Sequence, residues 1–333
     1  MPEYDIKVEE KYYNKKKGYK SSELCLKLSG KDCNIKILST LRRVCGMLVP
    51  NHAYNYANII IENNTSVAFN NDYMRLRLSQ LPIYNIDSKL SFLHNRYWKN
   101  INFADPYREK HPEEKNIKVY INTHNNSNEI KNITTNDIKV YLDDNQIDMY
   151  DKTTPILIIK LRPNDTFKCM MTASLGIGDC DTIYSACSNS WATYDEDIKE
   201  NGERVFKNGE LYLKSRGQQK EIDIFRHGCE YIIKKYEDFK IDIERKIKTK
   251  EIEDDNKMTL ILDEEDFTFG EWINFEIQTN KNIVFSGLSK PDHQIKSVTL
   301  KLLTHKTKAS EVLIDTCNII IDKVKQIKKS LKL

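Results

Sequence analysis

The residues best suited to chemistry are carboxylates and thiols, and they gather in a few places. Asp179-Cys180-Asp181 spaces two carboxylates as a Mg²⁺ site would, just behind Gly176-Ile177-Gly178. Asp263-Glu264-Glu265-Asp266 concentrates acid in one turn, as a cation site does. Cys180, Cys187 and His227 offer thiolate and imidazole ligands of the kind zinc takes. Plainer readings outweigh all of these. An isolated D-x-D pair in a polar loop is ordinary solvated surface, and the glycine pair lacks the third glycine and following helix of a dinucleotide site. The acidic run directly precedes an amphipathic segment, where carboxylates accept from free first-turn amides and oppose the positive end of the helix dipole. Nothing in the sequence brings Cys180, Cys187 and His227 together, so buried bystanders are the better account. With no G-x-S-x-G, H-E-x-x-H or P-loop present, the expectation is no catalytic residue, no cofactor and no metal.

Bulk properties narrow the class. A chain of 333 residues has room for more than one core. A formal net charge of +3 is too small to argue for nucleic acid, and the lysine runs at 15–17 and 325–332 read as solvated faces. No apolar run approaches the roughly 18 residues of a membrane span, and Met1-Pro2-Glu3 starts no signal peptide. The reading is a soluble, intracellular protein without membrane contact. Its 8 cysteines lack a C-x-x-C spacing and fit reduced, small apolar residues.

The segments that would position any site alternate between strand and helix. Leu24, Leu26 and Leu28 have period two and end at Gly30, a half-buried strand. Ile35, Leu38, Leu41, Val44, Cys45 and Leu48 form a helical stripe, with Asp32 as the expected N-cap and Pro50 as the stop. Ile59-Ile60-Ile61 reads as a strand apolar on both faces, and Glu62–Ser66 as the turn after it. Asp72–Leu81 reads as a short helix offering Tyr73, Leu76, Leu78 and Leu81 for packing, with Arg75 and Arg77 pointing elsewhere and Pro82 as the stop. Residues 85–115 lose periodicity and lead into an inserted β-rich unit, with strands at Ile117–Ile121, Ile138–Leu142, Ile156–Leu161 and Phe167–Met171. Gly209–Ser215 is again a strand. Phe225, Cys229, Ile232, Tyr236, Phe239 and Ile243 then step by four and three along one long helix, whose narrow stripe needs another helix or a sheet face to lie on.

Glu244–Lys257 is charged, stripe-free and reads as a linker. Beyond it the plan repeats. Strand Met258–Leu262 is followed by a helix from about Thr268 to Thr279 carrying Phe269, Trp272, Ile273, Phe275 and Ile277. Strands Ile283–Ser286 and Ser297–Leu303 come next, then a terminal helix with Val312, Leu313, Cys317, Ile320, Val324, Ile327 and Leu331. This is repetition of structure with little identity between copies. Arg42 and Arg43 stand apart from the plan. Adjacent helix positions lie about 100° apart, so at most one can lie near the apolar stripe. Two solvated arginines, or a pair making bidentate contacts to a second protein chain, both stay open from the residues alone.

The motifs resemble a known family. Leu41-Arg42-Arg43-Val44, the turn Glu62-Asn63-Asn64-Thr65-Ser66, and Tyr73 through Arg77-Leu78 to Leu81-Pro82-Ile83 resemble the third-largest subunit of nuclear RNA polymerase. That subunit is the counterpart of the archaeal D subunit and the bacterial alpha amino-terminal domain. Gly176–Ala186 and Trp191–Asp195 are similar to the family's return from its inserted domain, and Phe225–Ile243 to its dimerisation helix. Glu265-Asp266-Phe267-Thr268-Phe269-Gly270-Glu271-Trp272-Ile273 resembles the signature of the eleventh subunit, the archaeal L subunit. Asn282–Gly287 and Pro291-Asp292-His293 are similar to the strand and turn that follow it. Phe267 replaces a histidine of that signature and is expected to pack. Many family members carry a zinc or iron–sulfur cysteine cluster in the inserted domain, but residues 85–168 contain no cysteine, so neither is expected.

The resemblance implies an α+β chain in which two RNA polymerase alpha-like dimerisation domains are fused. The first, 1–84 and 190–248, would be interrupted by a β-rich inserted domain at 85–189, and the second would span 249–333. It implies a non-catalytic assembly-platform subunit of a multisubunit DNA-dependent RNA polymerase, as in large cytoplasmic DNA viruses. Such a chain would pair its halves internally rather than as a homodimer. It would dock the second-largest and then the largest subunit, join small polymerase subunits, and meet DNA only through the complex. The expected large-subunit interface is Leu41, Arg42, Arg43, Asn64, Thr65, Arg75, Arg77, Leu81 and Pro82. The expected intramolecular interface is Phe225, Cys229, Ile232, Tyr236, Phe239, Phe269, Trp272, Phe275, Val312, Cys317, Ile320 and Val324. A linker of about fourteen residues spans roughly 20 Å and sets an effective concentration on the order of millimolar. The expected location is the host cytoplasm (a viral factory) and the virion, or the nucleus or cytosol with the polymerase if the source is not viral. The rival reading is a stand-alone interaction or DNA-binding module that reuses the dimerisation fold; near-neutral charge counts against it.

Overall fold

The computed structural model describes residues 4–15, 22–86, 89–93, 101–103, 105, 108–200, 202, 204–252, 255–292 and 294–331. Lys16, Lys17, Lys332, His293 and parts of the 85–115 lead-in, all named above, lie outside them.

Strands β1 (Lys7–Lys15) and β2 (Ser22–Ser29) open the chain as an antiparallel pair. Helix α1 (Ile35–Arg43) follows, capped by Asn34, whose side chain accepts from the Ile37 amide, and not by Asp32. The Asp32 carboxylate accepts instead from the Asp5 amide at 2.8 Å. α1 continues as a π-helical turn, Val44–Leu48, which ends where Pro50 predicts. Next come β3 (Asn51–Ala53), β4 (Ile59–Asn64) and α2 (Asn71–Ser79). The β-rich stretch holds β5 (Ile117–His124), β6 (Lys131–Thr134), β7 (Ile138–Leu142), β8 (Asn145–Ile147), β9 (Leu157–Leu161), β10 (Thr166–Thr172) and β11 (Ser174–Gly176). The chain returns through β12 (Cys187–Ile198) and β13 (Arg204–Ser215) to α3 (Glu221–Lys248). A second, smaller unit completes it: β14 (Lys257–Asp263), α4 (Phe267–Gln278), β15 (Ile283–Ser289), β16 (Ser297–Thr304) and α5 (Ala309–Ser330).

The first sheet has the antiparallel order β1-β2-β13-β12. Register places Leu24 opposite Leu213 and Leu26 opposite Leu211, so alternate leucines form one apolar face beneath α1 and α3. The smaller unit repeats this with the sheet β14-β16-β15, whose Met258, Leu260, Leu262, Val298, Leu300 and Leu302 point inward to α4 and α5. Both sheets and all four of these helices contribute to one continuous core. Strands β1 and β12 carry no clear apolar alternation. Each is an edge strand paired on one side only, and β12 is nearly all exposed, so periodicity could not mark it.

Four expectations change here. The first domain was expected to run to residue 84, but β4 joins the five-stranded sheet β4-β10-β5-β7-β8, and Tyr54, Ile59, Met74, Leu78, Leu81 and Ile83 share the core of the β-rich unit. The departure from the first sheet therefore comes near Asn51, because the apolar sides of β4 and α2 match β10 and not α1. Ile59-Ile60-Ile61 is one-sided: Ile59 is buried and Ile60 is 50% exposed. In α2 the packing residues are Met74 and Leu78, while Tyr73 and Leu76 face out. Finally, α3 runs to Lys248, so the linker shrinks to 249–256 because the charged end of α3 is stitched by Asp242 pairing with Arg245 and Lys246.

Candidate subunit interfaces

The residues singled out for chemistry serve the fold. Asp179 pairs with Lys296, and Asp181 caps a short 3₁₀ turn by accepting from the Ile183 amide at 3.0 Å, so the two carboxylates work apart. A Cβ at Gly176 would meet the Tyr184 ring at 2.2 Å and one at Gly178 the Ser185 hydroxyl at 2.4 Å. These glycines permit close packing, not phosphate approach. In the acidic run, Asp266 caps α4 by accepting from the Thr268 amide at 2.7 Å, and Glu265 pairs with Lys235 of α3. Cys187 and His227 are buried, and His227 Nδ1 lies 3.0 Å from Gln219 Oε1. Among the described residues no group of three or more His, Cys, Asp or Glu is placed to hold a metal ion. No helix among them is long and apolar enough to cross a membrane.

The larger feature is the contact between the two sheet-and-helix units. Helix α3 lies along α5, with Lys328 paired to Glu230 at 2.7 Å and Lys240 donating to Asn318 at 2.7 Å. Later residues of one helix meet earlier residues of the other, so the two run antiparallel. Helix α1 meets α4 in the same way: Lys36 pairs with Glu271 at 2.6 Å, Thr40 donates to the Thr268 carbonyl at 3.4 Å, and Arg43 donates to the Thr268 hydroxyl at 2.9 Å. Between them the Tyr236 ring stacks on Phe269 at 4.6 Å and meets Trp272 edge-on at 6.2 Å, and its hydroxyl donates to the Phe269 carbonyl. Phe225, Cys229, Ile232, Tyr236, Phe269, Trp272, Cys317, Ile320 and Val324 are all buried in the shared core, with Phe239 partly buried against it. Val312 is buried but lies outside that core cluster, and Phe275 is only half-buried and also outside it. Phe275 falls off the stripe that carries Trp272, Ile273 and Ile277. Phe267 does not pack as expected but is 36% exposed at the start of α4.

The expected outer face is less uniform. Leu41 has no exposure and belongs to the core, so it cannot meet another chain. Arg43, two residues on, reaches α4, where Asp266 lies 3.7 Å away. Asn64 organises its own turn, donating to the Phe69 carbonyl at 2.8 Å and accepting from the Ser66 amide, while Thr65 accepts from the Thr166 amide at 2.8 Å. Arg75 donates to the Ile59 carbonyl and Arg77 to the Leu157 carbonyl, contrary to the expectation that both point away. Leu81 is buried, and the Pro82 carbonyl accepts from Tyr150. Arg42 and Arg43 both line a cleft of about 500 Å³, shared with Met47, Gln80, Ser188, Asn189 and Arg216. Sequence reasoning missed Arg216. It follows the last residue of β13 in a Ser-Arg-Gly turn and has no periodicity; only the antiparallel return brings it to α1.

Residues 257–330 match the family model of the RNA polymerase Rpb3/Rpb11 dimerisation domain, which is the whole β14–α5 unit. The chain is also 24% identical over 292 residues to a protein named as a DNA-directed RNA polymerase subunit of Acanthamoeba polyphaga mimivirus, covering 81% of this chain and 78% of the relative. Residues 257–330 form an Rpb3/Rpb11-type dimerisation domain, and the chain as a whole is similar to an RNA polymerase subunit. The dimerisation domain is the C-terminal unit, and the β-rich region precedes it. The mimivirus match extends well beyond the family match and so takes in much of the first sheet and the β-rich unit.

Proposed function

We propose that the chain is a fused, non-catalytic assembly platform of a multisubunit DNA-dependent RNA polymerase, whose two sheet-and-helix units are the two members of a dimer joined in one chain. The observation that carries this is the pairing of like with like. The first helix of each unit meets the other's first helix, and the long helix meets the long helix, both antiparallel. A twofold axis requires this of two equivalent partners. Satisfying that axis within one chain fixes a one-to-one ratio and leaves no equivalent surface for a second copy, so the chain is not a homodimer.

The face around Arg42 and the β-rich unit then docks the second-largest subunit, after which the largest and the small subunits join. Location follows the polymerase: the host cytoplasm and the virion, if the source is a large DNA virus like the mimivirus relative. Copurification tests the proposal. A tagged chain expressed with its polymerase is expected to bring down both large subunits in a one-to-one complex. Recovery of the chain alone, or of a homodimer, refutes it.

A further inference from the structure

The two sheet-and-helix units correspond strand for strand, except at one edge. The order β2-β13-β12 matches β14-β16-β15, and α1 and α3 follow β2 and β13 as α4 and α5 follow β14 and β16. Strand β1 has no counterpart. In the first unit it covers the edge of β2, and Ile6 and Val8 at its start are buried in the core. Among the described residues no strand pairs with the equivalent edge of β14. The backbone groups on that edge can be named. The Thr304 amide donates to the Asn256 carbonyl at 2.8 Å, one step before the register pair Lys257–Leu303. Antiparallel bonding alternates along a strand, so Met258, Leu260 and Leu262 turn their backbone groups to β16. Lys257, Thr259, Ile261 and Asp263 turn theirs to the open side.

Unpaired edges invite strand addition, and folded proteins blunt them. Strand β1 breaks register between Glu10 and Tyr12, β15 between Ile283 and Phe285, and β12 at both Cys187/Asn189 and Asp195/Glu196. Strand β14 runs unbroken from Lys257 to Asp263, without Pro or Gly, and its Ile261 is 60% exposed. Its exposed charges stand at opposite ends, Lys257 first and Asp263 last, and neither is in an ion pair among the described residues. An antiparallel partner is favoured when it sets an acid against Lys257 and a base against Asp263. β14 itself has that pattern, so a second copy is one geometric solution. Two seven-residue edges meeting alone bury far less than the ~1,200 Å² that a stable dimer needs. A segment whose subunit is already held elsewhere on the chain needs no such area, because its local concentration is high. Resting on the platform reading above, we propose that β14 is extended by an antiparallel strand of another polymerase subunit. That strand is acidic where it meets Lys257 and basic where it meets Asp263.

The test uses the full chain, free and in its assembled polymerase. Hydrogen exchange in a peptide covering Lys257–Asp263 is expected to slow roughly tenfold or more on assembly, as the outward amides gain acceptors. Photo-crosslinking from p-benzoylphenylalanine at Ile261 is expected to capture a peptide of another polymerase subunit with the stated charges. Thr259→Pro/Ile261→Pro removes two outward N–H groups and none that bonds β16. It should abolish the slowed exchange and the crosslink, with an unchanged far-UV circular dichroism spectrum. If that variant does not fold, exchange in the wild type carries the test. Unchanged exchange at β14 in an assembled polymerase overturns the inference and leaves the platform reading intact, and so does a captured peptide without the charge pattern. A free chain that light scattering shows to be a dimer, and that the prolines make monomeric, assigns β14 to a second copy and also overturns it. Failure of the wild type to assemble with any polymerase subunit overturns the platform reading instead, and this inference with it.

Discussion

Tyr236 is the point at which the internal dimer can be tested hardest. It belongs to α3 of the first unit, yet its ring lies on Phe269 and against Trp272 of the second. Only 1% of it is exposed. Tyr236→Ala removes a buried aromatic ring and leaves a cavity between units, a change that costs about 3–5 kcal/mol in protein cores. Tyr236→Phe keeps the ring and removes only the hydroxyl that donates to the Phe269 carbonyl, which costs about 1 kcal/mol. Ile241→Ala on the same helix is the control, because Ile241 is 64% exposed and surface changes stay within about 0.5 kcal/mol. Urea unfolding followed by tryptophan fluorescence and by far-UV circular dichroism should rank the three variants in that order, with both probes shifting together. The same ring can be tested across separate chains. Residues 1–250 and 251–333, expressed apart, are expected to coelute, and Tyr236→Ala should weaken their association roughly a hundred- to several-thousand-fold at about 1.4 kcal/mol per factor of ten. If Tyr236→Ala behaves like Ile241→Ala, or if the halves elute as independent monomers, the shared core is not what joins them.

Other outcomes follow from single sites. Lys323 Nζ lies 2.8 Å from both oxygens of Glu276, which also accepts from Trp272 Nε1, and both partners are buried. Lys323→Met should cost about 3–5 kcal/mol by stranding a buried carboxylate, whereas Glu276→Leu/Lys323→Met should recover most of that loss in urea unfolding. Burial and Lys115 hold the His52 pKa down to about 4, and its Nε2 accepts from the Lys115 amide, so a charged ring would set an N–H against that donor. Its contribution is complete above pH 6.5 and is lost as pH falls towards 4, where the unfolded state takes the proton first. His52→Gln should flatten the loss of thermal stability between those pH values, and an unchanged slope would assign the acid sensitivity elsewhere. Gly176→Ala should lower stability by about 1–3 kcal/mol, since its methyl would enter the Tyr184 ring; a neutral result would show that Tyr184 can move aside.

Much of this fold was legible because burial writes a period into a chain. The stripes of α1, α3 and α5, and the alternation in β2, β5 and β14, all face core and could be read directly. Strands β1 and β12 could not be, since an edge strand held mainly by its backbone imposes no pattern on its side chains. Ile59-Ile60-Ile61 misled for the opposite reason: three apolar residues filled a strand with only one face to bury.

Residue types and spacing on their own decided the elements with a buried face, the resemblance to two polymerase subunits in tandem, and the plain reading of every metal or nucleotide motif. They could not decide partners across the fold. Arg42 and Arg43 are chemically identical neighbours, yet only the placement of α4 gives Arg43, the more exposed of the two, the Thr268 hydroxyl and Asp266 as partners. Leu41 shares their motif, yet the same packing buries it completely. Helical spacing sets the angle between neighbouring side chains, but which angle points at a partner depends on where another element lands. Here that element lies more than two hundred residues away in sequence, in α4.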